Sequence, residues 1–129
     1  DINGEIAYFK RIFFVNDQPV AINRSILPDQ LCPGITTSTL IDNSISTTLS
    51  NRYGLVPTDA DEWLEAVLAT EKEASLIRAV VGTPLLLVTT LSRLSDGSPV
   101  EYSMTLWNTE RMRLHVHLSS AGNRSTHAE

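Results

Sequence analysis

Arg11, Glu101 and Trp107 are the residues whose type and placing could do chemistry. Arg11 lies in the run EIAYFKRIFFV, Glu5 to Val15, where strand alternation puts Phe9 and Phe13 on its own side. A guanidinium in an apolar row must find a partner or reach water. It reads either as a clamp for an anion or carbonyl group, or as an edge-strand arginine paired with a neighbouring carboxylate. Glu101 lies in the alternating run Pro99 to Trp107 and shares a side with Ser103, Thr105 and Trp107. That row reads either as a solvent face or as a pocket wall of carboxylate and hydroxyl acceptors. Trp107 favours the pocket or an interface, since so large a ring on a polar row needs something apolar beside it.

The other reactive types stand apart. Cys32 is the single cysteine and has no His near it in sequence. A thiol nucleophile needs an activating base, so Cys32 reads as a buried or loop thiol. It also allows no internal disulfide, which suits a reducing compartment. His115 and His117 share one side of a strand, with His127 in the tail the one further candidate. A tetrahedral metal site wants three or four ligands, so these read as surface or interface histidines. The sequence carries no phosphate-cradling glycine loop, no GxSxG elbow and no HExxH pair. No metal, no cofactor and no stand-alone enzymatic activity is expected.

At 129 residues the chain fits one domain. With 42% apolar and 19% charged residues it has the make-up of an ordinary globule able to bury a core without staples. The net charge of −5 argues against a basic nucleic-acid-binding face. No apolar run approaches the length needed to span a bilayer, and no secretory signal opens the chain, so the expected location is cytoplasmic, away from membranes. The sequence begins at Asp1 without an initiator Met and runs at once into strand-like residues, which reads as a fragment of a longer protein.

The elements that must position these residues follow from local pattern. Glu5 to Val15 and Val20 to Leu27 are rich in β-branched and aromatic types and flank the turn residues Asn16 to Pro19, which predicts a hairpin. Asp42 reads as the N-cap of a helix carrying Ile41, Ile45, Leu49 and Tyr53 on one face, with Gly54 as its C-terminal cap. Thr58 to Val80 allows one long helix. The capping-box pattern Thr70 to Glu73 instead allows a helix from Thr70 with a strand at Trp63 to Val67 before it. Leu85 to Leu94 reads as a central strand, turned back at Ser95-Asp96-Gly97 onto Pro99 to Trp107. Leu114, Val116 and Leu118 make a last strand, and Ala121 to Glu129 reads as a loose polar tail. The sum is an α+β domain: an antiparallel sheet of hairpins with short helices packed against it.

The order of segments resembles a UTRA domain, the effector-binding domain of the HutC branch of GntR-type transcription regulators. The run Gly82-Thr83-Pro84-Leu85-Leu86, then Asp96-Gly97-Ser98-Pro99-Val100-Glu101-Tyr102-Ser103, then Glu110-Arg111-Met112-Arg113 carries it. Gln18-Pro19-Val20-Ala21, Ser25-Ile26-Leu27-Pro28 and Asn43 to Gly54 agree. The resemblance covers roughly Glu5 to Leu118. It implies a chorismate-lyase-like fold over 1–120, shortened at its N-terminus, and a strand at Trp63 to Val67. It also implies a small-molecule effector, a homodimer, and operator DNA met only through a winged-helix domain outside this sequence.

Carried over residue by residue, the resemblance puts the pocket positions of sugar-phosphate-sensing members on Arg11, Asn23, Ser44, Ser46, Glu101 and Trp107. The second arginine of the family's Arg-x-Arg pair is replaced by Phe13, its second-strand glutamate by Asn23, and a helix-start tyrosine by Ser46. Two arginines fork a phosphate dianion, whereas one beside Phe suits a single carboxylate. These departures imply a small acid or polar metabolite with an apolar part rather than a sugar phosphate. The rival readings are a chorismate-lyase-like enzyme, which should hold two or more converging cations, and a dimerisation domain with a vestigial pocket.

Overall fold

The computed structural model describes residues 4–119 and 124–128. Strand β1 (Ile6–Val15) turns back onto β2 (Gln18–Pro28) through Asn16 and Asp17. Both turn residues have positive φ, 49° and 63°, as a two-residue type I′ turn requires, and Asn and Asp tolerate that region best after Gly. Pro19 pairs with Phe14 beside the irregularity between Phe13 and Phe14, the kind of place where a sheet tolerates proline. A loop with two short 3₁₀ turns, Ile35–Thr37 and Ile41–Asn43, leads to helix α1 (Ile45–Tyr53). Strand β3 (Asp59–Leu68), helix α2 (Glu71–Ile77), β4 (Pro84–Arg93) and β5 (Pro99–Trp107) follow.

All five strands join one antiparallel sheet in the order β1-β2-β5-β4-β3. The apolar run at Leu85 is an interior strand, but the middle of the sheet is β5. The ambiguity at Thr58 to Val80 resolves as strand then helix. Thr70 and Glu73 form the complete capping box, each side chain taking the other's backbone N–H.

Two apolar clusters hold the helices to the sheet. Ala7 and Leu27 pack with Cys32, Ile35, Ile45 and Leu49 and so seat α1 and its loop. Ile22, Leu85 and Leu106 pack with Ala69, Ala74 and Ile77 and seat α2. Leu27 and Ile22 differ by five along β2, so the two clusters use opposite sides of that strand. Each fully buried Leu or Ile contributes about 1.5–3 kcal/mol, which outweighs the poor helix propensity of α1.

Two expectations fail. Asp42 is not the N-cap: it and Asn43 take positive φ in the 3₁₀ turn, and extended Ser44 caps α1 by accepting the Thr47 N–H. The polar tail is not loose throughout: Arg124–Ala128 forms β7, paired with β6 (Leu114–Leu118) in a two-stranded sheet of its own. Composition missed β7 because backbone pairing with β6 needs no apolar face.

Candidate functional site

Register across β1, β2 and β5 places Arg11 opposite Asn23, and Asn23 opposite Thr105. Arg11 therefore leans over β2 and donates from Nε and Nη2 to Asn23 Oδ1, at 3.2 and 2.8 Å. Its Nη1 donates to the Asn43 carbonyl at 2.9 Å, tying β1 to the residue before the α1 cap. Asn23 is only 4% exposed and its Nδ2 donates to Thr105 Oγ1 at 2.9 Å, so its orientation is fixed from both ends. Both acceptors of Arg11 are neutral oxygens. Three of its five N–H groups are engaged, which leaves two, and its charge has no carboxylate in contact among the described residues. Burial lowers the Arg11 pKa, with the Glu101 charge opposing, and a guanidinium starting near 12.5 remains protonated.

Glu101 is not on a solvent face. It is half-buried, and its Oε2 accepts the hydroxyl of fully buried Ser25 at 2.9 Å. Ser25 Oγ also lies 3.2 Å from Asn23 Oδ1. Burial pushes the Glu101 carboxyl above its ordinary value, while the Ser25 hydrogen bond and the Arg11 charge pull it down. Its remaining oxygen has no partner among the described residues.

Trp107 stands at the other end of the row, its ring 6.2 Å from that of Phe13 and tilted by 50°. Phe13 in turn lies under the Arg11 guanidinium, 5.1 Å from its centroid. Ser44 and Ser46 meet at 3.2 Å between hydroxyls at the start of α1, with Ser46 exposed. The structure thus links Arg11 and Asn23 directly, brings Glu101 to them through Ser25, Trp107 through Phe13, and Ser44 through Asn43. Ser46 joins only through Ser44.

Sequence reasoning did not assign Ser25, and its signal was present, two residues from Asn23 on the same side of β2. Thr105 was placed on the row without a role. Asn43 enters through its backbone carbonyl, which no residue type could announce. Cys32 is buried, donates to the Pro28 carbonyl and has its pKa raised by burial, then by Asp29, as suits an unreactive thiol. His115 and His117 are exposed, and no metal-holding cluster exists among the described residues.

The described cavities lie elsewhere: one groove at the β3 edge between Trp63 and Tyr102, one beside α2 over Leu87 and Met104, and one by Gln18 and Arg111. Arg24, the arginine of β2, lines the groove beside α2 and lies on the opposite side of the strand from Asn23. The row therefore carries one guanidinium, one half-buried carboxyl and several hydroxyls. That set can orient a small polar molecule. Among the described residues, the hydrogen bonds of the row bring no second cation to Arg11.

The chain is similar to the uncharacterized HTH-type transcriptional regulator YurK of Bacillus subtilis (strain 168), 28% identical over 107 residues, 83% of this chain and 44% of that protein. It is 26% identical to the ligand-binding domain of a putative GntR-family regulator from Bordetella bronchiseptica, with a TM-score of 0.74 over 81% of this chain and 69% of that one. A GntR-family regulator from Enterococcus faecalis V583 superimposes with a TM-score of 0.79 at 26% identity, over 87% of this chain and 80% of that one. The chain spans about half the length of the curated relatives it matches. No helix among the described residues is long and apolar enough to cross a membrane. The UTRA domain matches residues 2–113, a span that holds the whole five-stranded sheet and both helices, and the chain belongs to that family of regulator effector domains, which is not a family of enzymes.

Proposed function

We propose that this chain is the sensing part of a cytoplasmic, homodimeric transcription regulator and binds a small carboxylate-bearing metabolite on the face around Arg11. The observation that carries the reading is the guanidinium with two free N–H groups and only neutral oxygens for partners. Such a group is fixed in place and still able to receive an anion. Asn23, Ser44, Ser46, Glu101 and Trp107 complete the proposed pocket, with Ser25, Thr105 and Phe13 supporting them.

Control of DNA belongs to the longer protein, through a winged-helix domain outside this sequence. Effector that binds one dimer arrangement better shifts its population and so the spacing of the DNA-reading domains. A coupling of about 1–3 kcal/mol suffices.

The test is a thermal-shift screen of the 129-residue chain against carboxylic acids, amino acids, dicarboxylates and sugar phosphates. A ligand at about 100 times its Kd adds about 2.7 kcal/mol, enough to raise the midpoint by several degrees. Arg11→Ala should weaken binding of the hit by about 1.5–3 kcal/mol, the worth of a charged hydrogen bond. Affinity unchanged in that variant removes Arg11 from the site, and a well-folded chain that no compound stabilises removes the sensing role.

A further inference from the structure

We infer that the effector is a zwitterion, an α-amino acid or a close relative with one carboxylate, one ammonium and an apolar or aromatic side chain. The inference rests on the site proposed above and asks what chemistry its two charges require. Arg11 is held by neutral acceptors and keeps two N–H groups open. Glu101 keeps one carboxylate oxygen open, its other oxygen holding the Ser25 hydroxyl. The two are joined by the contacts Arg11–Asn23, Asn23–Ser25 and Ser25–Glu101, so they lie within three hydrogen-bond lengths of each other, on one side of the sheet.

A plain carboxylic acid answers Arg11 but brings a second negative charge beside half-buried Glu101, and like charges in a shielded place repel strongly. A sugar phosphate brings two. A plain amine answers Glu101 and leaves Arg11 facing a cation. A molecule with carboxylate and ammonium on one carbon spans the gap with a hydrogen bond at each end, since it inserts only two covalent bonds between its charges. Its side chain can then lie along the row toward Trp107. The register from Glu101 through Thr105 to Trp107 puts the Phe13–Trp107 ring pair there, which favours an apolar or aromatic group.

The experiment compares each amino acid with its two half-charged analogues on the wild-type chain. Phenylalanine is set against hydrocinnamate and phenethylamine, leucine against isocaproate and isoamylamine, and tryptophan against indolepropionate and tryptamine. Thermal shift identifies binders, and calorimetric titration gives the Kd. The expected result is at least one amino acid that binds saturably and at least about tenfold more tightly than both of its analogues. Glu101→Gln should then erase the advantage over the deaminated acid. An acid that binds the wild type as tightly as its amino acid overturns the assignment, as does stabilisation by a sugar phosphate or dicarboxylate with none by the amino acids. Either of those leaves the effector-binding role standing, whereas silence from every compound in both screens overturns the two together.

Discussion

Asn23 decides what Arg11 can do. A glutamate at that position would meet the guanidinium as a carboxylate and neutralise it before any ligand arrived. The amide oxygen of Asn23 takes the same two N–H groups without cancelling the charge. Neutral Asn23 beside Arg11, with the apolar ring of Phe13 under the guanidinium, therefore leaves the Arg11 charge available. Glu101 is the other half of that balance, and its burial can be read in stability. Its carboxyl pKa is raised above 4.5 in the folded chain, so folding favours the protonated form. This contribution is fully present below the unfolded value and is lost as pH rises through the folded one. Glu101→Gln keeps an acceptor for the Ser25 hydroxyl and carries no charge. It should melt above the wild type at pH 7, with the gap closing below about pH 4.5. Thermal denaturation of both chains across that range checks it, and a variant less stable than wild type at neutral pH would show that the Arg11 attraction outweighs the burial.

Helix ends show how far an element is written in its own residues. Thr70 and Glu73 announce the start of α2, and Gly54, at φ 64°, the end of α1. In both cases the local chemistry needs no help from the rest of the chain. The start of α1 was missed because Asp42, Asn43 and Ser44 are all good caps, and the choice among them depends on where Ile45 and Leu49 meet Leu27 across the sheet. The strands of the hairpins were legible from alternation and turn residues, whereas the pairing of β2 with β5 joins segments far apart in sequence and carries no local mark. That pairing is what brings Asn23 and Ser25 to Thr105 and Glu101, so most of the site's geometry was beyond residue-type reasoning even where its members were named. At the end of α2 the sequence is suboptimal. Arg78 takes the left-handed cap at φ 53°, where a side chain costs about 1 kcal/mol, and Arg78 is exposed. The Arg111 bond there is to the Arg78 carbonyl, which a glycine would keep. Arg78→Gly should raise stability by about 0.5–1 kcal/mol, or about 2–5 °C in midpoint, and a lower midpoint would show that the side chain holds something the fold needs.

Stability is spread unevenly over the whole molecule, and the pattern bears on how it could report a ligand. β2 and β5 lie inside the sheet, with Ile22, Ser25, Val100 and Leu106 buried between the two helices. Arg11 belongs to β1, an edge strand, and the α1 turn it grips is a loop. The proposed pocket thus has one wall fixed by the core and one able to move, the arrangement in which binding can order an element without unfolding the rest. The β6–β7 pair is more extreme: a two-stranded sheet by itself is marginal in water, and His115, Val116, His117 and Leu118 are all exposed. Backbone amides of β2 and β5 should therefore exchange with deuterium only on global unfolding, those of β1 earlier, and those of β6 and β7 first. If β6–β7 adds little to the fold, a chain ending at Arg113, where the family match also ends, should melt within about 2 °C of the full sequence, the span of an ordinary surface change. It should also bind the same ligand with the same affinity, since none of the six residues of the proposed pocket lies beyond Trp107. A chain so shortened that melts far lower, or loses the ligand while staying folded, would show that the terminal ribbon covers the Arg11 face and is part of the site.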